Sequence, residues 1–150
     1  MKRYLRLFVI LPALAFVACS GRLEGSATGP ASATGAPGSP KVEIAFLNHP
    51  PVLGALAGVD KLLASYGDKV TVTRYDLETD QGAAFAKSKR LAGHVPIAIF
   101  VNGAIEVKLK DRTVKFFSFP QGKGTFMVAS GSWTVEDLRQ TLDQALSRSK

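Results

Sequence analysis

The chain has 150 residues, of which 46% are hydrophobic and 21% are charged, and its formal net charge is +7. This length allows one domain with its own hydrophobic core, and the composition excludes a chain that is disordered throughout. A single cysteine excludes an intramolecular disulfide and any redox cycle between two cysteines of the same chain. The positive charges form no dense run and accompany no recognition motif, so nucleic acid is not expected as a partner.

Residues 1–18 have the pattern of a secretory signal peptide. Lys2, Arg3 and Arg6 make the start basic, and a 12-residue apolar stretch follows. At a rise of 1.5 Å per residue this stretch would span about 18 Å, which is shorter than the ~30 Å hydrocarbon core of a membrane. Without this segment 16 basic and 12 acidic residues remain, a mildly basic balance that would suit an anionic membrane surface.

The apolar stretch ends in Phe16-Val17-Ala18-Cys19, which resembles the bacterial lipobox. The resemblance implies cleavage before Cys19, attachment of lipid to its thiol, and anchoring in a membrane of the cell envelope. The domain would then face the periplasm or the exterior. Ser20 at the next position implies the outer membrane, if the cell has one.

Residues 20–40 are dominated by glycine, proline and small residues, and they lack any apolar period. Such a segment cannot bury enough surface to offset its ordering entropy, which predicts a flexible tether. Its root-mean-square reach would be about 25 Å. The sequence therefore predicts three parts: a signal peptide over 1–18, a lipidated cysteine with its tether over 19–40, and one domain over 41–150.

The first half of this domain has the pattern of two strand–helix units. Residues 42–47 form a short apolar run typical of a buried strand, and the proline pair at 50–51 then favours a helix start. Apolar residues at helical spacing continue this helix to Gly67. A second strand is predicted over 69–77, and a second helix runs from Asp80, as its cap, through Ala92.

The second half predicts antiparallel strands and a last helix. An apolar strand over 95–101 reaches the tight turn Asn102-Gly103, and the chain returns over 105–109. Further strands are predicted over 113–119 and 125–129, and a capping box of Thr134 and Asp137 begins the last helix. The order predicts an α/β fold with a mixed sheet, an extended antiparallel hairpin and helices on both faces.

Four phenylalanines lie in or near this hairpin. Strand alternation places Phe117 and Phe119 on one face and Phe116 on the other. Together with Phe126 they are interpreted as core packing, and an apolar patch that docks a partner is the alternative.

The order of elements and two of the loops resemble the thioredoxin-like superfamily. Val95-Pro96 before an apolar strand is similar to the cis-proline loop of that family. His49-Pro50-Pro51-Val52 stands where the family has its C-x-x-C motif. The resemblance implies a thioredoxin-like three-layer sandwich that lacks the family's leading strand–helix pair. Since His49 and Val52 replace both cysteines, thiol–disulfide oxidoreductase activity is not expected, and the protein is not predicted to be an enzyme.

In that family the first loop and the proline loop form a groove that holds extended polypeptide. The backbone of the residue before the proline pairs with the polypeptide like a strand. The resemblance therefore implies a membrane-tethered, redox-inactive binding module of the cell envelope that holds a polypeptide partner. The residues assigned to partner binding are His49, Pro50, Val52, His94, Val95 and Pro96.

Two other functions stay open at this point. His49 and His94 are candidates for a metal or small-ligand carrier, with Asn48, Asp76 or Glu78 as helpers. Two histidines alone make a poor zinc site, because zinc takes four ligands, or three and a water. No metal ligand is assigned for this reason, and no cofactor is predicted. An enzyme with a non-thiol mechanism would instead need an enclosed pocket around a perturbed histidine.

Overall fold

A computed structural model describes Ala36 and residues 38–110, 112–122 and 131–149. The elements follow in the order β1 (Lys41–Phe46), α1 (Pro50–Tyr66), β2 (Thr71–Asp76), α2 (Asp80–Ser88), β3 (Ile97–Val101), β4 (Glu106–Leu109), β5 (Arg112–Lys115) and α3 (Val135–Arg148). The prediction of a mixed α/β fold is confirmed. The signal peptide, Cys19 and the strand over 125–129 lie outside the described residues.

Strand β1 lies at the centre of a three-stranded mixed sheet. β2 pairs with it in parallel, with Val42 opposite Val72, and β3 pairs with it antiparallel, with Ile44 opposite Ile99. The parallel pairing brings the carboxyl ends of β1 and β2 to one edge of the sheet. The antiparallel pairing brings the start of β3 to the same edge.

The chain after β3 turns back on itself as the sequence predicted. Asn102 and Gly103 have φ angles of 50° and 82°, and such positive angles at both central residues are typical of a type I′ hairpin turn. β4 and β5 then form a separate two-stranded antiparallel sheet. Beyond β5 the chain returns to β3, where the amide of Ile99 donates to the carbonyl of Phe116 at 2.9 Å.

Side chains alternate between the two faces of the sheet, so each face contributes to a different core. The larger core lies between the sheet and the helices α1 and α3. It includes Ile44 of β1, Leu56 of α1, Ile99 of β3, Leu138 of α3, and Trp133 just before α3. The smaller core includes Phe85 of α2 together with Ala45, Val95, Ala98 and Phe100. Helices therefore pack on both faces, but the face with the smaller core has only the short helix α2.

Helix α2 differs from its prediction at both ends. Thr79, not Asp80, is the N-cap, because its hydroxyl accepts a hydrogen bond from an amide of the first turn. At the other end Arg90 has a left-handed φ of 54°, and the amide of Leu91 donates to the carbonyl of Ala86 at 2.9 Å. This closing turn ends the helix earlier than the predicted stop.

The last helix begins as predicted. The amide of Asp137 donates to Thr134 Oγ1 at 3.1 Å, and the amide of Thr134 donates to Asp137 Oδ2 at 2.8 Å. These reciprocal bonds form a capping box. Arg112 forms an ion pair with Asp137, which connects the start of β5 to the start of α3.

The predicted alternation of the phenylalanines after β5 is confirmed for Phe116 and Phe117 and is wrong for Phe119. Phe116 and Phe119 both belong to the larger core, whereas Phe117 packs against the smaller one. Ser118 has a left-handed φ of 66°, which interrupts the extended chain, so the strand period of two does not continue through it. The prediction of core packing is confirmed for Phe116 and Phe119, and Phe126 lies outside the described residues.

The end of the predicted tether packs on the domain beside β2. The amide of Ala36 donates to the carbonyl of Asp68 at 3.1 Å, and the Ser39 hydroxyl donates to the same carbonyl at 3.2 Å. The amide of Thr71 donates to the carbonyl of Pro40 at 2.9 Å. Within the described ranges, no helix is both long enough and apolar enough to cross a membrane.

Candidate functional site

Three loops meet where β1 and β2 end and β3 begins, and we call this place the loop edge. The first loop (47–49) leads from β1 to α1, the acidic turn (77–79) leads from β2 to α2, and the proline loop (93–96) leads directly into β3. In open α/β sheets, ligands bind beyond the carboxyl ends of the strands. All six residues that the sequence assigned to partner binding lie in these loops or in the first turn of α1.

Two backbone hydrogen bonds hold the first loop against its neighbours. The amide of Leu47 donates to the carbonyl of Pro96 at 3.1 Å, which attaches the first loop to the proline loop. The amide of Leu77 donates to the carbonyl of Phe46 at 2.9 Å, which attaches the acidic turn to the end of β1. The relative positions of the three loops therefore follow from the pairing of the strands below them.

Helix α1 begins without a free amide for an anion. His49 is its N-cap, and Pro50 and Pro51 at the first helical positions have no N–H group. The next two amides, of Val52 and Leu53, both donate to the carbonyl of His49 at 3.0 Å, and the amide of His49 donates within the first loop. Since the amides of this turn are all satisfied, the helix start is a poor site for a thiolate or a phosphate.

A network of polar side chains surrounds His49. Its Nε2 lies 3.1 Å from Oε1 of Glu78, and the other oxygen of Glu78 accepts from the amide of Asn48 at 3.3 Å. The side-chain amide of Asn48 donates to Asp76 Oδ2 at 3.0 Å. An ionised carboxylate only accepts hydrogen bonds, so Nε2 of His49 is the donor. The structure thus joins His49 to all three residues that the sequence had named as its helpers.

The pair of His49 and Glu78 orients the imidazole more than it stabilises the fold. The two side chains are 52% and 47% exposed, so water screens their attraction. Glu78 is itself positioned by Asp76, whose Oδ1 accepts the amide of Glu78 at 3.0 Å. The carboxylates of Asp76 and Glu78 therefore both lie beside the first loop.

Val52 does not lie on the surface of this site. Its side chain belongs to the larger core, so this side chain contributes nothing to the surface that a partner would contact. The next residue, Leu53, is 44% exposed, and no other large hydrophobic residue in the described part of the chain is exposed. The sequence analysis missed Leu53, because helical periodicity identifies only the buried stripe. An apolar residue outside that stripe, in the first helical turn, was the available signal.

The proline loop lacks the cis bond that the resemblance implied. No peptide bond among the described residues is cis, so the bond between Val95 and Pro96 is trans, and the expectation is wrong. A trans bond before proline is the ordinary state, favoured by about 0.5–1 kcal/mol. In the trans form the carbonyl of Pro96 already reaches the amide of Leu47.

The backbone of Val95 is unpaired. Val95 is 5% exposed, and in the described part of the chain neither its amide nor its carbonyl has a hydrogen-bond partner. A backbone polar group without a partner costs free energy when it is buried. An extended segment laid along the proline loop would supply the missing partners in the manner of an added strand.

His94 is exposed and stands apart from the polar network. Among the described residues, His49 pairs with Glu78, and no hydrogen bond joins His49 to His94. The described part of the chain contains no group of three or more His, Cys, Asp or Glu that is arranged to hold a metal ion. The two histidines therefore do not by themselves assemble the donor set that zinc requires.

Three cavities among the described residues lie away from the histidines. These open cavities, of about 510, 340 and 310 Å³, are lined by neither His49 nor His94. The loop edge offers backbone hydrogen bonds, one exposed leucine and two carboxylates. The cysteine of the chain, Cys19, is remote from it in sequence. No family model, curated protein or solved structure matches the chain.

Proposed function

We propose that this chain is a membrane-tethered, redox-inactive binding module of the cell envelope, which holds an extended segment of a protein partner at the loop edge. The observation that carries the proposal is that the backbone of Val95 has no hydrogen-bond partner among the described residues. Val95 lies in a loop that a hydrogen bond holds beside the exposed first turn of α1. Strand addition there would supply partners for backbone groups that have none among the described residues.

The proposed fold is a thioredoxin-like three-layer sandwich. Three features support it: the strand order β2-β1-β3, the parallel pairing of β1 with β2, and the antiparallel pairing of β1 with β3. The chain at Phe117 adds a bridge on the far side of β3. α1 and α3 pack on one face of the sheet and α2 on the other.

The proposed module performs no thiol chemistry. His49 and Val52 occupy the positions at which the resembled family carries its two cysteines. Formation of a disulfide requires two thiols, and the chain contains one cysteine. The satisfied amides at the start of α1 also remove the donors that would stabilise a thiolate in this place.

The exposed groups of the loop edge indicate which segment it would bind. Leu53 offers an apolar contact, and the carboxylates of Asp76 and Glu78 attract positive charge. An extended segment with one apolar and one basic side chain would therefore fit best. Backbone pairing would supply most of its affinity, and the charges would supply specificity.

The proposed location follows from the lipobox. A lipid on Cys19 would anchor the protein, and the tether that follows would hold the domain outside the bilayer. We propose the outer membrane where the cell has one, as Ser20 implies. Cys19→Ser should then release the protein from the membrane fraction and remove the mass of the lipid from the purified protein.

Photo-crosslinking in living cells tests the binding site. A photoreactive residue is placed at Leu53 or, as the control, at Ala64, which is also exposed and lies about 16 Å further along the same helix. A discrete protein adduct is expected from position 53 and not from position 64. Equal adducts at both positions, or none at position 53 in lipidated protein of normal abundance, would overturn the proposal.

A second experiment tests whether binding at the loop edge, rather than proximity alone, produces the adduct. The probe is placed at His94, and Leu53→Asp is combined with it. Burial of the exposed part of a leucine side chain is worth about 1 kcal/mol, so the adduct should fall at least about fivefold. Ala64→Asp adds the same charge elsewhere on α1 and should leave the adduct unchanged.

A further inference from the structure

The face of the sheet under α2 is only partly covered. α2 has 9 residues, and Phe85 is its large side chain in the smaller core. Beyond the end of α2, Leu91, Ile105 and Phe117 remain half-buried and line an open cavity of about 310 Å³. Phe117 lies on this face because strand alternation points it away from Phe116, which belongs to the larger core. We call this surface the Phe117 face.

Basic side chains surround the Phe117 face. Lys89 and Arg90 border the cavity on the side of α2, and Lys115 borders it on the side of β5. The ammonium group of Lys89 lies 4.7 Å from the ring centroid of Phe100, and that of Lys115 lies 5.9 Å from the centroid of Phe117. Such cation–π contacts hold the basic groups beside the apolar floor.

The charge of this surface is positive overall. Lys89 pairs with Glu43 at 2.6 Å and Lys115 pairs with Glu106 at 3.1 Å, whereas Arg90 is exposed and has no ion pair among the described residues. No acidic residue occurs anywhere from position 81 to position 105. The segment from the end of α2 to the start of β4 can therefore approach an anionic surface without repulsion.

The Phe117 face extends along β3, from Phe117, which bridges to Ala98 near the start of the strand, to Phe100 near its end. Glu43, the partner of Lys89, is in the first half of β1, directly opposite Phe100 in β3. The amide of Lys41 donates to Asn102 Oδ1 at 2.8 Å at this same end. The loop edge is at the opposite end, where β1 stops.

We propose that the Phe117 face docks on the surface of an anionic phospholipid bilayer. The basic groups would pair with lipid phosphates, and Phe117 and Ile105 would enter the boundary between headgroups and acyl chains. The inference rests on the proposed lipid anchor, which keeps the bilayer within reach of the tether. Docking of this face leaves α1, with the exposed Leu53, on the side of the sheet that points away from the membrane, where a partner can approach it.

The test uses the full lipidated protein in vesicles and a fluorophore on a single added cysteine. Ala92→Cys places the label at the cavity, and Ala64→Cys places it on α1, which packs on the other face of the sheet. Both alanines are exposed, and Cys19 is blocked by its lipid. The vesicles contain phosphatidylcholine alone or with phosphatidylglycerol in about a 3:1 ratio, and a fraction of the lipids carries a headgroup quencher.

In the anionic vesicles, quenching of the label at position 92 should exceed that at position 64 at least about threefold. This difference should disappear in pure phosphatidylcholine and at about 0.5 M salt, where the Debye length is only a few ångströms. The double variant Arg90→Gln/Lys115→Gln should abolish it. The control variant Lys61→Gln/Lys69→Gln removes the same charge from exposed positions outside the Phe117 face. It should preserve the difference in quenching between positions 92 and 64.

Equal quenching at the two positions in anionic vesicles, with the protein still floating with the vesicles, would overturn docking and leave the proposed function untouched. Failure to float would overturn both, because it would show that no lipid anchor is present. Loss of the quenching in millimolar inorganic phosphate at constant ionic strength would assign the face to a soluble anion and would also overturn the bilayer proposal.

Discussion

Replacement of Gly82 by alanine should destabilise the protein, although Gly82 lies inside helix α2. In a helix interior, alanine is favoured over glycine by about 1 kcal/mol. At Gly82, however, a Cβ atom would overlap the backbone carbonyl of Asp76 and would lie 2.8 Å from the Cα of Leu77. Backbone atoms cannot rotate out of the way, so either α2 or the acidic turn beneath it would have to move.

The size of the destabilisation by Gly82→Ala depends on the side chains that pack under α2. Phe85 of α2 is 8% exposed, and its ring stacks on Tyr75 with 3.8 Å between the centroids. Overpacking of a well-packed site costs about 1–3 kcal/mol, and a shift of the helix would also loosen this stack. After the gain of about 1 kcal/mol in helix propensity, we expect a net loss of about 1–2 kcal/mol in the free energy of unfolding.

Gly54 is the matched control. It lies in α1, and a Cβ atom there would have nothing within 4 Å. Gly54→Ala should therefore raise the free energy of unfolding by about 0.5–1 kcal/mol. Urea unfolding of both variants, followed by circular dichroism, should give shifts of opposite sign. If Gly82→Ala is as stabilising as Gly54→Ala, the close approach of α2 to the acidic turn is refuted, and with it the position of Glu78 beside His49.

Three further predictions concern the larger core and the helices around it. Burial, and then the hydrogen bond to Asp143, raise the pKa of Tyr66 to about 12. Since its pKa in the unfolded chain is near 10, this contribution to stability is complete below pH 10 and is lost as the pH rises through 12. Melting temperatures of the wild type should therefore fall over this window relative to those of Tyr66→Phe, and parallel pH profiles would contradict the assignment. Thr134→Ala removes the hydroxyl that caps α3 and should cost about 1 kcal/mol in thermal unfolding, whereas Thr134→Ser should restore most of it. Leu56→Ala, at a side chain 1% exposed, should cost about 2–5 kcal/mol in urea, and a loss below 1 kcal/mol would mean that α1 packs differently.

Signals that act over a few residues were sufficient to predict most of the elements. The proline pair before α1, the Asn102-Gly103 turn and the capping box at Thr134 each determine the backbone of their own neighbours. Their predictions were confirmed for this reason. Prediction failed where two local signals competed, as at α2, where Thr79 caps the helix instead of Asp80 and the left-handed Arg90 ends it.

The loop edge could be predicted in part, because it depends on which strands pair. The sequence named Asn48, Asp76 and Glu78 as helpers of His49 but left the choice among them open. The parallel pairing of β1 with β2 brings the acidic turn beside the first loop, and so His49 pairs with Glu78. The periodicity of a single segment contains no information about the distance between His49 and Glu78, which are 29 positions apart in the chain.

The sequence by itself determined the α/β pattern, the single cysteine that rules out an internal redox pair, and the apolar stripe of α1. Only the tertiary structure decided that Leu53 faces the solvent, and that Phe119 lies in the core with Phe116 and not with Phe117. The reason is physical. Hydrophobic periodicity reports how one element divides its own faces, whereas exposure depends on which other element packs there. α1 shares its face of the sheet with α3, and on the opposite face the short α2 ends before it reaches Phe117.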